Sequence, residues 1–294
     1  MTENSTSKIL FVINPKAGTA SQNYQTIIQN YCKHFPSSLD FYTLTGKNDE
    51  YEIDKAITRL QPNTIAAVGG DGTVSMVVKK VLETDMNLAI IPTGSANGMA
   101  RELNISENID EALKILENGV VKKADVLKIN NLLCIHLSDI GLNAHLIKYF
   151  DRGSMRGKWG YAKLALKVFF RRQNIQAIFR FDGKEIKRKT LMVVVANASK
   201  YGTGAVINPR GNLNDGLFEV VVIKHIGLLT LLKLWLRPNS PNPDNIETFQ
   251  TNEVSIQFNK KFHFQIDGEY IGKVKGVSAK MLSTQINIIV PKEM

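Results

Sequence analysis

The residues best able to do chemistry fall into two sets: loops dense in glycine and small polar groups, and aspartates followed by glycine. Val68-Gly69-Gly70-Asp71-Gly72-Thr73 follows a run of small apolar residues and opens a helical pattern. Its three glycines let the backbone turn sharply and approach a phosphate closely. The free N–H groups at a new helix start favour an anion. Asp71 can orient backbone or ligand groups, and Thr73 supplies a hydroxyl. A glycine turn between strand and helix is also just a turn, so its neighbours decide its meaning. Asn14-Pro15-Lys16-Ala17-Gly18 follows the first apolar run. Thr43 ends the second, and Pro92-Thr93-Gly94-Ser95-Ala96-Asn97-Gly98 follows the fourth. Asp-Gly pairs begin at Asp182, Asp215 and Asp267. Each is a hairpin signal first.

The elements that must position these loops alternate through the first third of the chain. Residues 9–13, 39–44, 64–68 and 88–91 read as strands. Residues from about 22, 50–60, 74–82, 96–103 and 109–116 read as helices. This alternation predicts a mostly parallel sheet covered on both faces. In such a sheet all the loops above emerge at the strands' carboxyl ends, the edge where open α/β sheets bind ligands. The patterns G-x-x-x-x-G-K-[ST] and G-x-G-x-x-G are both absent, which excludes a P-loop or a standard dinucleotide fingerprint. Near Asp125 the pattern changes. Residues 126–137 read as two strands around a tight turn at Asn130-Asn131. Helical stretches are expected near 141–150 and 158–170. Then come strands at 175–181, 191–196, 217–223, 253–258, 262–266 and 286–290. This half predicts an antiparallel, sandwich-like or barrel-like domain. The expected domains are residues 1–125 and 126–294, with a Pro- and Asn-rich loop at 237–245.

Bulk properties narrow the partners. The chain has 294 residues, a formal net charge of +10 and an ordinary 44% of hydrophobic residues. A basic surface favours nucleotides, nucleic acid or an acidic membrane surface. No nucleic-acid motif is present. The polar start of the chain shows no signal peptide, and no apolar run is long enough to cross a bilayer. Cys32 and Cys134 suggest neither a disulfide framework nor a zinc site. Lys163, Lys167 and Arg171 recur at helical spacing within 158–172. That pattern suits a helix on an anionic membrane, or one packed on its own domain with a solvated basic face. The apolar run 226–236 suits core or lipid equally.

Taken together, the motifs resemble those of the diacylglycerol kinase catalytic family, in its bacterial lipid kinase form. Gly69–Thr73 matches the G-G-D-G-T signature that this family shares with sphingosine kinases, NAD kinases and 6-phosphofructokinases. Asn14–Gly18 is similar to the N-P-x-[SA]-G loop. Gly94–Asn97 with Ala100-Arg101 is similar to G-[ST]-A-N-D-x-A-R. Leu213–Leu217 and Gln265–Glu269 match elements of the second half, in order. The resemblance implies an α/β nucleotide domain, a β-rich lipid-substrate and catalytic domain, and a cleft between them. It implies ATP bound by Asn14, Pro15, Lys16, Ala17, Gly18, Thr43, Gly69, Gly70, Asp71, Gly72, Thr73, Val74, Ser75 and Ser95. Asn97, Gly98 and Arg101 fall on the acceptor side. Asp215, with the carbonyls of Asn212 and Leu217, corresponds to a structural Mg²⁺ site. Asp267 and Glu269 correspond to the catalytic acidic pair. A lipid hydroxyl needs a proton acceptor to become a nucleophile, and a second carboxylate nearby can raise that acceptor's pKa.

The activity implied is ATP-dependent phosphorylation of a lipid hydroxyl at a membrane surface, with diacylglycerol the default acceptor. A sphingoid base, another glycerolipid or an NAD kinase-like reaction are the alternatives, as is nucleotide binding with little turnover. The protein is expected in the cytoplasm, with peripheral contact at the inner membrane face, no nucleic-acid partner, and a homodimer left open. The pattern departs from the family in three places. Ser75 and Met76 stand at the usual Asn and Glu positions after Thr73, and Gly98 stands at a usual Asp.

Overall fold

The computed structural model describes residues 7–18, 22–34, 37–142, 144, 173–201, 204, 206–224 and 246–292. Most of the helical stretch expected near 141–150 lies outside them. So do the stretch 158–170, the basic pattern of 158–172, the apolar run 226–236 and the loop 237–245. The chain divides into two compact units, one formed by 1–124 with 284–294 and the other by 125–283.

The first unit is built on a sheet whose described strands run in the order β2-β1-β3-β4-β16-β5. These are β1 (Ser7–Ile13), β2 (Ser37–Thr43), β3 (Thr64–Gly69), β4 (Asn87–Pro92), β16 (Ile286–Val290) and β5 (Val120–Ala124). β1 to β4 pair in parallel. Their runs are apolar on both faces because helices cover both. Leu10, Phe11, Val12, Ile65, Val68, Leu88 and Ile91 are fully buried. Each such side chain stabilises the fold by roughly 1.5–3 kcal/mol. The covering helices include α2 (Asp49–Leu60), α3 (Asp71–Val81) and α5 (Ile109–Asn118). α3 turns Val74, Val77, Val78 and Val81 inward, the spacing of one helical face. In the order β2-β1-β3 the chain passes from one side of β1 to the other, so a crevice opens between β1 and β3 at their carboxyl ends.

The last strand corrects the sequence reading. Residues 286–290 were expected in the second half, yet β16 pairs in parallel with β4 and antiparallel with β5. Strand periodicity does not encode the partner. The signal that does is continuity: Ile286, Ile288, Ile289 and Val290 are all buried, as in a strand covered on both faces.

The second unit is an antiparallel sheet with the path β13-β12-β11-β8-β14-β15-β6-β7, extended by β9 and β10. Its strands are β6 (Leu127–Ile129), β7 (Leu132–Cys134), β8 (Leu137–Gly141), β9 (Ile175–Phe181), β10 (Lys184–Thr190), β11 (Met192–Ala196), β12 (Phe218–Ile223), β13 (Ile246–Thr251), β14 (Glu253–Ile266) and β15 (Glu269–Met281). Asn130-Asn131 does turn β6 into β7. β10, β13 and β15 escaped the sequence reading because charged and small residues fill their exposed positions. β14 carries this unit. It pairs with β15, with register shifts at Gln257/Phe262 and Phe264/Gln265, and also with β8 and β9. Its alternating Val254, Ile256 and Phe258 enter one core with Phe179, Phe218 and Phe264.

An ion-pair knot joins β10 to β13. Arg188 reaches Glu247 at 2.6 Å, and Lys224 reaches it at 2.7 Å. The Arg188 hydrogen bond is the largest cause that holds the Glu247 carboxyl at about 2, below its ordinary 4.5. A depressed acid pKa stabilises the fold above the unfolded value and loses that effect as pH falls through the folded value. Glu247→Gln is therefore expected to lower the melting temperature at pH 7 and to flatten its decline between about pH 4.5 and about pH 2. An unchanged acid limb in melting curves would show that the knot contributes nothing.

Candidate functional site

In the first unit the sheet edge gathers the glycine loops. Asn14 follows β1, and its N–H donates to the Val68 carbonyl at 2.9 Å. Its side-chain amide lies 3.4 Å from Thr73 Oγ1, and its Oδ1 accepts from Lys16 N–H at 3.0 Å. Thr93 N–H donates to the Gly69 carbonyl at 3.0 Å. The loops after β1, β3 and β4 are thus tied side by side. Thr43 lies opposite Ile13 at the end of β2. Its following loop is held by Asp49, which accepts from Tyr42 O–H, Thr45 N–H and O–H, and Gly46 N–H. Burial pushes the Asp49 carboxyl up, but these hydrogen bonds outweigh it and hold it below the usual range.

Two glycines bring the β3 and β4 loops into backbone contact. A Cβ on Gly94 would stand 2.5 Å from Gly70 Cα, and one on Gly69 would collide with the Thr73 side chain. Only glycine permits that approach. Asp71 then locks it. Its Oδ2 accepts from Gly98 N–H at 3.0 Å and its Oδ1 from Met99 N–H at 3.2 Å. These N–H groups begin α4 (Gly98–Glu102), so the carboxylate caps one helix while opening another. Asn97, at φ 51°, closes the second loop by bonding Gly94 N–H and carbonyl at 2.9 Å each. Gly98 is buried, and Ser95 is exposed. Arg101, expected on the acceptor side, donates through Nε and Nη2 to Glu107 Oε1 at 3.0 and 2.7 Å.

Thr93 was missed by motif reading. It lines an open pocket of about 190 Å³ with Gly18, Tyr24, Gly94 and Asn97. It is buried, and among the described residues its Oγ1 has no hydrogen-bond partner. The small polar run Pro92-Thr93-Gly94 was its only signal. Gly18, at φ 74°, sits where a Cβ would collide with the Tyr24 hydroxyl and the Thr93 carbonyl. Val74 points into the core, whereas Ser75 and Met76 are half-buried. Pro15 and Lys16 are exposed, as is the edge they form.

In the second unit the three Asp-Gly pairs separate. Asp182-Gly183 turns β9 into β10, and Asp267-Gly268 turns β14 into β15, all at positive φ. Asp182 and Gly183 are exposed. Asp267 is buried. Its Oδ1 accepts from His136 N–H at 3.0 Å, Leu137 N–H at 3.1 Å and the Cys134 thiol at 3.3 Å. Its Oδ2 accepts from Ile135 N–H at 3.0 Å. Burial pushes the Asp267 pKa up, while the Ile135 and His136 N–H bonds pull it back. Burial and the Asp267 charge push the Cys134 thiol well above its usual value, so it stays protonated and inert. Glu269, two residues on, is exposed.

Asp215 lies on an exposed loop, where its Oδ1 accepts from Leu217 N–H at 3.0 Å. Its Oδ2 lies 3.5 Å from Gln250 Nε2. Asn212 Oδ1 accepts from Asn214 N–H. Asp125 pins the loop from below: its Oδ2 accepts from Gly216 N–H at 2.8 Å and its N–H donates to the Leu213 carbonyl at 2.7 Å. The buried Glu219 sits beside it, bonded to Asn208 and Gln250. Burial raises its pKa, and the Asp215 charge adds to that. Asp215 Oδ2 has only the long contact to Gln250 and a second acid, Glu219, nearby; oxygen donors of this kind suit a hard cation such as Mg²⁺, and among the described residues no cluster of three acidic, His or Cys side chains surrounds them.

Known proteins share this arrangement. The diacylglycerol kinase catalytic domain family matches residues 8–129, and the YegS C-terminal NAD kinase beta sandwich-like domain family matches residues 138–290. A diacylglycerol kinase of Bacillus subtilis is 28% identical over 262 residues, 86% of each chain. A crystal structure of a diacylglycerol kinase from Bacillus anthracis superposes with a TM-score of 0.74 at 21% identity over 98% of each chain. Yeast NADH kinase superposes with a TM-score of 0.52 at 7% identity, covering 98% of this chain and 85% of that one. The last two establish the fold.

The Asp71 tie yields a test. Asp71→Asn keeps one acceptor but turns an amide N–H toward the α4 N–H groups. It is expected to cost about 1–3 kcal/mol in a denaturant titration and to weaken ATP binding in calorimetry. Unchanged values in both would show that the tie is idle.

Proposed function

The chain belongs to the diacylglycerol kinase catalytic-domain family, and on that footing we propose that it transfers the γ-phosphoryl group of ATP to a lipid hydroxyl, with diacylglycerol the default acceptor. The observation that carries this reading is the meeting of Asn14, Gly69–Thr73 and Thr93–Gly98 at one sheet edge. Phosphoryl transfer asks mainly for positioning and charge neutralisation. The backbone N–H groups of these loops supply fixed dipoles for phosphate oxygens. Lys16 adds a positive charge on the exposed edge, and the buried Thr93 hydroxyl adds a donor. Thr43, Ser75 and Ser95 complete the nucleotide side, with Asn97 and Gly98 shaping the acceptor side.

Asp215 and the carbonyls of Asn212 and Leu217 are the residues that would hold Mg²⁺. There the ion would neutralise the carboxylates and brace the loop.

The two acids of the Asp267-Gly268-Glu269 turn divide their labour. Asp267 spends its lone pairs on three backbone N–H groups and a thiol. Its oxygens are occupied by those donors, while burial leaves its pKa raised on balance. Its work is to fasten the turn to residues 134–137. Glu269 is exposed and takes the proton of the lipid hydroxyl. A sphingoid base or another glycerolipid remains an acceptor of the same chemistry. An NAD kinase-like reaction ranks behind both, because the chain carries Leu213–Leu217 together with Asp267 and Glu269 beside Gly69–Thr73.

The experiment is to incubate the protein with labelled ATP, Mg²⁺ and a total lipid extract, and to identify the labelled product. A labelled phosphatidic acid supports the default. Label in NADP alone, or in nothing while ATP still binds, rejects it. With the acceptor in hand, Glu269→Gln is expected to lower kcat by about 10²–10⁴-fold with little change in melting temperature. Asp267→Asn is expected to lower the melting temperature first, since a donor then faces donors. Asp182→Asn, in an exposed turn, leaves both near normal. Full turnover by the Glu269 variant would sink the proton-transfer assignment.

A further inference from the structure

A buried carboxylate stands between β8 and β14, and the kinase reading gives it no work. Asp139 and Gln265 lie opposite each other on these antiparallel strands. Both are fully buried, at 0% exposure. Asp139 Oδ1 accepts from Ala144 N–H at 2.7 Å, and its Oδ2 accepts from Gln265 Nε2 at 2.6 Å. Gln265 Oε1 in turn accepts from Gly268 N–H at 2.8 Å. The Gln265 carbonyl accepts from the Ser138 hydroxyl at 2.7 Å, which fixes the residue that carries the amide. These bonds form one relay, from Ala144 just past β8 to the turn that starts β15. All its members lie in the second unit. Its far end is the residue before Glu269.

We propose that Asp139 is a positioning residue: through the Gln265 amide it sets the turn that presents Glu269. The inference rests on the reading of Glu269 as the proton acceptor. Its basis is polarity. A carboxylate only accepts hydrogen bonds, whereas an amide accepts at one end and donates at the other. Asp139 therefore draws the Gln265 NH₂ toward itself and leaves the amide oxygen for Gly268. The Gly268 N–H, a donor only, requires the same orientation, so the amide is fixed from both ends. Asp267 and Gly268 both hold positive φ, at 47° and 85°. The Asp267 carboxylate anchors the first of them to residues 135–137. The Gln265 oxygen orients the peptide between the two, from which Glu269 departs. Burying a carboxylate is costly, and an apolar pair would join the two strands without that cost. An apolar pair would not set the direction of the amide. A general base must stand within hydrogen-bond reach of the hydroxyl, and a displacement of about 1 Å can slow a reaction about 10²-fold.

Asp139→Asn tests this, because it keeps the shape and reverses the polarity. The new amide oxygen stays with Ala144 N–H, and the new NH₂ meets the Gln265 NH₂. Gln265 relieves that clash only by turning its amide over, which strips Gly268 N–H of its acceptor. With the lipid acceptor in hand, kcat is expected to fall about 10–10²-fold, with KM for ATP unchanged. The double variant D139N/Q265E restores every bond at the same net charge. The new NH₂ donates to one oxygen of the introduced carboxylate, and the other oxygen accepts from Gly268 N–H. This variant is expected to recover most of the lost kcat. The same changes are made in an E269Q background. There Asp139→Asn is expected to add little further loss, since residues that act through one group are not additive. Exchange of the Gly268 amide, followed by NMR, is expected to quicken in D139N and to return in D139N/Q265E. Wild-type kcat in folded D139N overturns the proposal. So does the full loss repeated in the E269Q background, which marks a structural role alone, or no recovery in D139N/Q265E. If Asp139→Asn does not fold, Gln265→Met takes its place with the same expected losses, since it removes the Gly268 acceptor without setting two donors together. Full turnover by E269Q would sink the proton-acceptor reading by itself. Gly268 exchange then decides the relay without turnover, and an unchanged rate in the relay variant overturns it.

Discussion

The backbone contact between Gly70 and Gly94 is the constraint on which the first unit's chemistry depends. Two loops from adjacent parallel strands come so close that a Cβ on Gly94 would stand 2.5 Å from Gly70 Cα, and one on Gly70 would crowd Gly94 at 3.2 Å. Such an approach strips water from peptide groups, and each must be repaid by a partner. Asn97 repays Gly94 on both its N–H and its carbonyl. Asp71 repays the start of α4. The two turns are therefore a single piece, and the sheet edge they form is held by its own hydrogen bonds. That pre-organisation is what phosphoryl transfer needs, because the enzyme contributes placement and field rather than covalent chemistry.

The second unit solves a related problem with a carboxylate instead of a glycine. The β14–β15 turn must sit at a defined height above β8, and Asp267 achieves this by gathering N–H groups of residues 135–137. A buried charge with fewer partners would cost several kcal/mol. Here burial and hydrogen bonding oppose each other in its pKa. The same arrangement carries Glu269 outward on the next strand. Asp267 and Glu269 thus differ as a buried anchor and an exposed acid two residues apart.

Asp125 plays a parallel part for the loop of residues 212–217. Buried below it, Asp125 takes the Gly216 N–H and gives its own N–H to Leu213. Asp215 is left at the surface near Glu219, whose pKa is raised first by burial and further by the Asp215 charge. Both anchors of this unit are buried aspartates, and both support an exposed acid.

Much of this was legible in the residues themselves. Glycine spacing after short apolar strands marks a phosphate loop because only glycine permits the turn and the close approach. The β1–α–β2 alternation marks a parallel sheet because helix and strand periods differ. The roles within the loops were less legible. Asp71 could orient backbone or ligand groups, and its backbone partners, Gly98 and Met99, lie far along the chain. Thr93 carries no motif of its own and became visible only as a buried hydroxyl in a pocket. Asp182, Asp215 and Asp267 begin with the same dipeptide and end as an exposed turn, a loop acid and a buried strut. Local sequence determined that the chain turns at Asp182 and Asp267, because backbone conformation is a short-range property. Which aspartate is buried, what it holds, and that the final strand belongs beside β4 were decided by tertiary structure, because burial and pairing depend on residues more than a hundred positions away.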